Sequence, residues 1–395
     1  MNSRQRGIFW EDQSIHLILW HDPMSAHDPN STPASDDSED MGLLGQVLGA
    51  TRREERSETP DIVKSLIGDA LKGTISRSKN TSETAQNVIR WIERKVSDQL
   101  AKILHDPTFQ ALEASWRGLF ELVRRSETDS SLKIRVLNVS KSELAEDLAS
   151  ESAIESSRLS RKLNAYREQE GEEPYAVLVD DHDFASCPDD ITLLGKLANV
   201  AASAGCLVLA SGSPTHCGLA SWSELDDDAV LGEGGDPESA RAWNQLRASE
   251  AAQSVVLAMP RILARPPYGA DTSVVEEFPF EELGRDAGSV DPGRLTWMSA
   301  VYLVATVVND AFTQEGREGV NELFESGARI GRQLYFYTKD EDGDTVVNGP
   351  AEIVLDRRRD AELRELGYTG LQSSRDGDSL VINGFRTLFR EPESD

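Results

Sequence analysis

Three cysteines, Cys187, Cys206 and Cys217, are too few for a disulfide framework in a chain of 395 residues, and the expected compartment is a reducing one, the cytoplasm. Positive charge is also scarce. Against 69 Asp and Glu stand 41 Lys and Arg, for a formal net charge of -28. Nucleic acid and anionic membrane are themselves negatively charged, so neither is expected as a partner. Copies this acidic repel one another, and their association needs local charge pairing or a partner of opposite sign. No apolar run approaches the roughly 20 residues of a membrane span. The short "SIHLILW" near the N-terminus follows Glu11 and Asp12 and makes a poor signal peptide. Residues 1–23 read as an extension ahead of a start at Met24.

Hydrophobic residues make up 38% and charged residues 28%, enough for a sizeable core under a heavily charged surface. Residues 1–40 are expected as a disordered extension, since "SAHDPNSTPASDDSED" is polar and acidic with no hydrophobic anchor. In "MGLLGQVLGATRR", residues 41–53, Leu43, Leu44, Val47 and Leu48 share one face of a helix. Gly42, Gly45 and Gly49 weaken that helix by roughly 1 kcal/mol each. A short amphipathic segment of this kind suits a peptide that folds on a partner, and equally a helix that docks on its own domain. An N-terminal helical segment over 60–105 follows, with Val88, Trp91, Ile92, Val96, Leu100 and Ile103 or Leu104 expected on its buried side.

From residue 106 the pattern is that of a mixed α/β core, a central sheet covered by helices. Strands are expected in "SLKIRVLNVS", "YAVLVDD", "CLVLAS", "SVVLAMP", "QLYFYTK", "AEIVLD" and "SLVINGFRTLF". "DDITLLGKLANVAASAG" reads as a helix that ends at Gly205, and Leu295 to Phe312 as a long apolar helix. In "LHDPTFQALEASWRGLFELVRRSE", Asp106 suits an N-cap and Pro107 the first helical position. Phe109, Leu112, Trp116, Leu119, Phe120 and Val123 recur at helical spacing and predict one broad buried stripe, edged by Glu113 and Arg117 at i, i+4.

Chemistry-bearing motifs are scarce. His216–Cys217, with His182 and Cys187 upstream, fits no compact zinc spacing. "ASGSPTHCG" is not a nucleophile elbow, and no phosphate-binding glycine loop is present. "DEDGD" at Asp340–Asp344 reads as a solvated acidic turn, and "VDDHD" at Val179–Asp183 as an acidic strand end. No catalytic residue, metal or cofactor is expected.

Several blocks together resemble the large sheath subunit of bacterial type VI secretion systems, the TssC/VipB (EvpB) family. "ILHDPTFQALEASWRGLFELV" is similar to that family's most recognisable segment, so Phe109, Leu112, Glu113, Trp116, Arg117 and Leu119 stand as its signature, read as packing residues. "LKIRVLNVSKSELAEDL", "GEEPYAVLVDDHDF", "RAWNQLRASEAAQSVVLAMPRILARPPYGA", "VVEEFPFEE" and "PAEIVLDRRRDAELRELGYTGL" follow in the family's order. The resemblance implies a structural subunit, not an enzyme, that pairs with a small sheath subunit and polymerises around a secreted inner tube. It also implies that Leu43, Leu44, Val47 and Leu48 form the helix recognised by a Clp-type AAA+ unfoldase. Two departures stand out: "LTWMSAVYLVATVVNDAF" replaces an aromatic-Gly-Asn-Ala-Ala helix start, and the family's C-terminal domain has no counterpart before Asp395. With that domain missing, contact with the inner tube is not expected. The alternative is a non-polymerising adaptor or baseplate-like relative, and an enzyme with a cryptic site ranks third.

Overall fold

The computed structural model of the chain describes residues 15–21, 81–129, 131–149, 156–165, 174–225, 229, 231–232, 236–276, 278–284, 290–340, 342–373 and 377–391. The segments 41–53 and 60–76, with Leu43, Leu44, Val47 and Leu48, lie outside the described residues. In chain order the elements are β1 (Ile15–His21), α1 (Thr81–Leu104), α2 (Pro107–Arg125), β2 (Leu132–Asn138), α3 (Lys141–Asp147), α4 (Arg158–Asn164), β3 (Val177–Phe184), α5 (Pro188–Ala204), β4 (Leu207–Gly212), α6 (Pro237–Arg247) and β5 (Val255–Met259). There follow β6 (Ile262–Leu263), β7 (Trp297–Met298), α7 (Val301–Glu325), β8 (Ala328–Ile330), β9 (Phe336–Lys339), β10 (Thr345–Asn348), α8 (Arg357–Glu365), β11 (Thr369–Gly370), β12 (Gln372–Ser373) and β13 (Leu380–Ile382).

The chain divides into two compact units. The first takes Met1–Ser25, His105–Pro267 and Leu283–Asp395. It is built on a six-stranded sheet in the order β2-β1-β3-β4-β5-β11, with every neighbouring pair parallel. Its middle strands are buried on both faces, which is why "YAVLVDD" and "CLVLAS" read as continuous apolar runs and not as alternating ones. Val177, Val179, Leu207, Leu209 and Val256 turn to one face, under Val301, Val304 and Val308 of α7. Leu178, Val208, Val255 and Leu257 turn to the other, with Leu194 and Leu197 of α5 and Trp243 of α6. The helix α5 ends where Gly205 takes a left-handed conformation at φ 72°.

The N-terminal stretch differs from its expected role as a disordered extension. Ile15–His21 is an inner strand, with Leu17 opposite Ile134 of β2 on one side and Val177 of β3 on the other. A continuous apolar run is what a doubly flanked parallel strand requires. The long helix also differs. Trp297–Met298 pairs with Ile262–Leu263, so α7 starts only at Val301 and runs to Glu325, broken at Gly316 (φ 62°, ψ -141°). The expected strand "AEIVLD" reduces to one bridge, Ala351 with Ile262, because Asp356 turns the chain by capping α8.

The second unit takes Ala26–Leu104 and Tyr268–Glu282. Its loop is closed by two hydrogen bonds: Tyr268 N donates to Glu282 Oε2 at 2.8 Å, and Glu282 N to the Tyr268 carbonyl at 2.9 Å. On α1 the expected buried side is partly open. Val96 and Ile103 are exposed and Leu104 is buried; Ile89, outside the expected set, is exposed as well.

Candidate functional site

The acidic end of β3 is held by its own partners. His182 Nδ1 lies 2.8 Å from Asp180 Oδ1, and the His182 backbone N–H donates to the same oxygen at 2.9 Å. The β3–β4 register shifts between Asp180 and Asp183, and Asp181 turns to the α7 face, as Val177 and Val179 do. Burial pushes the Asp181 carboxyl up to about 7, against hydrogen bonds from Ser115 on α2 and Tyr302 on α7. Tyr302, in turn, is driven well above its ordinary value by burial and then by the nearby Asp181. Three elements thus meet on one carboxyl group.

His216 and Cys217 are neighbours in a 3-10 turn after β4, but their electrostatics oppose nucleophilic chemistry. Burial lowers His216 to about 4 and raises the Cys217 thiol to about 12. A reactive pair needs a thiolate and a basic imidazole; here both stay neutral. The His216 ring packs on Trp243 (centroids 4.7 Å apart) and Tyr368 (5.8 Å), and the Cys217 thiol lies 3.8 Å from Met259 Sδ. Cys187 sits apart at the start of α5. At "DEDGD", Asp340 Oδ1 accepts from the backbone N–H groups of Asp342 and Asp344, a self-closed turn. Among the described residues no three His, Cys, Asp or Glu side chains could hold a metal ion.

The signature helix α2 is a different kind of site. Asp106 Oδ1 accepts from Thr108 N and Phe109 N, and Pro107 opens the helix. Glu113 is a charged node: Arg117 Nε and Arg265 Nε each donate to its Oε1 at 2.8 Å, and Thr296 Oγ1 to its Oε2 at 3.3 Å. Burial works to raise the Glu113 pKa, but hydrogen bonds and charge from Arg265 and then Arg117 outweigh it and hold the carboxylate below its usual range.

The inward face of α2 is not the expected one. Ala114, Gly118 and Leu122 are its buried residues, with Gly118 set against the Tyr302 ring. The large side chains face out: Phe120 is 63% exposed, Trp116 59%, Val123 47% and Phe109 36%, while Leu112 and Leu119 are half-buried at the margin. Close packing on α7 selects the small residues, which let the two backbones approach. In sequence this face shows as Ala114 and Gly118 at i, i+4 ahead of Leu122, opposite an aromatic stripe that periodicity alone turns inward.

Comparison with known proteins converges on one family. The family described as VipB: EvpB/VC_A0108, tail sheath N-terminal domain, matches residues 86–389. The type VI secretion system sheath protein TssC1 of Pseudomonas aeruginosa is 34% identical over 370 residues, covering 92% of this chain and 73% of TssC1. A solved chain of the anti-feeding prophage baseplate aligns at 15% identity and a TM-score of 0.34, over 72% of this chain. The chain spans about half the length of that baseplate chain (51%), and a likeness so faint carries no argument.

Proposed function

The chain belongs to the VipB/EvpB tail sheath family, and from that premise we propose that it serves as a sheath subunit of a type VI secretion apparatus, paired with a small sheath subunit in a contractile polymer. The match over residues 86–389, together with 34% identity to a sheath protein, carries this reading. The chemistry is consistent with it. The buried His216 and Cys217 are packing groups, Asp180 and Asp181 of β3 are engaged by His182, Ser115 and Tyr302, and the outer side of α2 is an apolar helix face. A filament needs heterologous contacts whose rotation does not close, and contraction is then a switch between two packings of the same subunits. The proposed place of this work is the cytoplasm; separately, among the described residues no helix is long and apolar enough to cross a membrane.

Co-expression with a small sheath subunit tests the reading. The expected result is a stable complex by size-exclusion chromatography, seen as sheath-like polymer by electron microscopy. A complex that stays at one-to-one stoichiometry identifies an adaptor, and a chain that binds no small sheath subunit overturns the reading. For the segment 41–53, the proposed role is recognition by a Clp-type unfoldase through Leu43, Leu44, Val47 and Leu48. Its support is the four aliphatic residues at helical spacing. A peptide of Asp40 to Arg53 is expected to bind the unfoldase's N-terminal domain, and Leu44→Asp with Val47→Asp to abolish binding.

A further inference from the structure

The end of α8 and the segment after β13 bring two arginines together. Arg364 stands in the last turn of α8, where the helix dipole suits a cation, and its Nη1 donates to the Gly384 carbonyl at 3.0 Å. Gly384 is left-handed at φ 91°. A Cβ placed on it would fall 2.9 Å from the Phe324 carbonyl oxygen and 3.5 Å from Arg364 Nη1, so the turn is pressed between the end of α7 and Arg364. Two residues on, Arg386 N donates to Thr369 Oγ1 at 2.9 Å, and that hydroxyl donates to the Arg386 carbonyl at 3.3 Å. The backbone that carries both side chains is thereby fixed.

The charges of the pair are not balanced. Arg386 Nε is buried and has no hydrogen-bond partner among the described residues, the kind of group that calls for an acceptor. Glu362, the nearby carboxylate on α8, is taken by Arg358 and Arg359. Asp360 is turned to Asn383, whose Nδ2 donates to its Oδ2 at 2.7 Å. Burial raises the Asp360 carboxyl above its ordinary value, against that hydrogen bond and the charge of Arg364. Burial, and then the charge of Arg386, hold Arg364 below its own ordinary value. Two guanidinium groups thus repel each other beside one carboxyl whose ionisation burial opposes. In a chain with 69 acids against 41 bases, the pair is not left so for want of carboxylates.

We propose that Arg364 and Arg386 form a binding site for an oxyanion, a carboxylate or phosphate group that accepts from both guanidinium forks. A planar fork meets either group with two parallel hydrogen bonds, and the anion supplies both the missing acceptor at Arg386 Nε and the missing charge. Two sources carry such a group: an acidic segment of this chain, Asp226–Asp228 or Glu391–Asp395, or another molecule. The site's chemistry is the same for both and is independent of the sheath reading.

Inorganic phosphate is the probe. The thermal midpoint of the full chain is read against phosphate at about pH 7.5, with sodium chloride at equal ionic strength as the control. An anion that binds the folded state raises the midpoint, and the expected result is a saturable rise that chloride does not give. Arg386→Met is expected to need at least tenfold more phosphate for the same rise. Arg386→Lys, which keeps the charge but not the fork, is expected to need severalfold more, and it decides where Arg386→Met does not fold. Two further full-length variants find the source: Asp226→Asn with Asp227→Asn and Asp228→Asn, and Glu391→Gln with Glu393→Gln and Asp395→Asn. A variant that takes phosphate at least tenfold more tightly than the wild type supports the site and names its own neutralised segment as the source. Equal saturable responses in the wild type and both variants support a site open to an anion from another molecule. No saturable rise in any of these three chains, or an undiminished rise in Arg386→Met or Arg386→Lys, overturns the site.

Discussion

Gly118 and Tyr302 fit each other as a flat surface fits a ring. A Cβ built on Gly118 would overlap Cγ, Cδ2 and Cε2 of the Tyr302 side chain, and the same tyrosine's hydroxyl reaches Asp181 at the end of β3. One residue pair therefore fixes how closely α2 approaches α7, and one hydroxyl ties both to the sheet. This contact explains why the aromatic side of α2 faces outward: no large side chain fits where Gly118 sits.

Gly118→Ala is accordingly expected to destabilise the chain by about 1–3 kcal/mol through overpacking. Tyr302→Ala should relieve part of that cost in the double variant, so the two substitutions should be non-additive. Urea unfolding of the four proteins of the cycle reads the coupling. Strict additivity would show that the two residues do not share the contact.

Buried titrating groups give two opposed pH dependences in one window. For His216 the folded pKa, about 4, lies below the free value of 6.5. The unfolded state binds the extra proton between them, so stability is fully present above about 6.5 and falls as pH drops toward 4. Its size is up to about 3 kcal/mol at 1.36 kcal/mol per pKa unit. His216→Phe should flatten that slope. For Asp181 the folded pKa, about 7, lies above the free value of 3.8. The folded state keeps the proton, so this contribution is present at low pH and fades as pH rises toward 7. Asp181→Asn should gain stability relative to the wild type as pH rises through the window. Unfolding midpoints at intervals from pH 4 to 7.5 check both, and a shared slope in the two variants would refute the assignment.

Gly316 offers a cleaner test of backbone cost. Its φ of 62° and ψ of -141° belong to glycine, and a Cβ placed there meets nothing within 4 Å. Gly316→Ala should thus cost about 1–3 kcal/mol from conformation alone. Thermal unfolding measures it; a variant as stable as the wild type would mean that α7 runs straight through.

The parts of this fold that were legible in sequence are those set by local chemistry. Asp189 and Asp190 opening α5, Gly205 closing it, and the apolar runs of β3, β4 and β5 all carry their own signals. The orientation of α2 was not legible, because periodicity reports that a helix has two faces and not which one turns inward. Large residues normally mark the inside; here the inward side is chosen by the bulk of Tyr302, far away in the chain. Family blocks were legible because many occur in order, whereas the exposed Phe120 and Val123 look the same in sequence whether buried or not. The break in α7 at Gly316 and the fading of "AEIVLD" before the Asp356 cap both stand against the apolar patterning of their own segments.

The same limit hid β1, and it leads to the last prediction. Seven residues after Glu11 and Asp12 look like a tail, since the partners that make them a strand are Leu132–Asn138 and Val177–Asp180. An inner strand of a parallel sheet contributes backbone hydrogen bonds on both edges, and its loss leaves β2 without its neighbour and the β3 edge open. A chain started at Met24 is therefore expected to show a lower, less cooperative thermal transition and a greater tendency to aggregate than the full chain. Adding a synthetic peptide of residues 11–24 should restore part of the midpoint in proportion to its concentration, as a ligand of the folded state does. A Met24 chain that unfolds at the full chain's midpoint, indifferent to the peptide, would show that β2 and β3 need no strand between them.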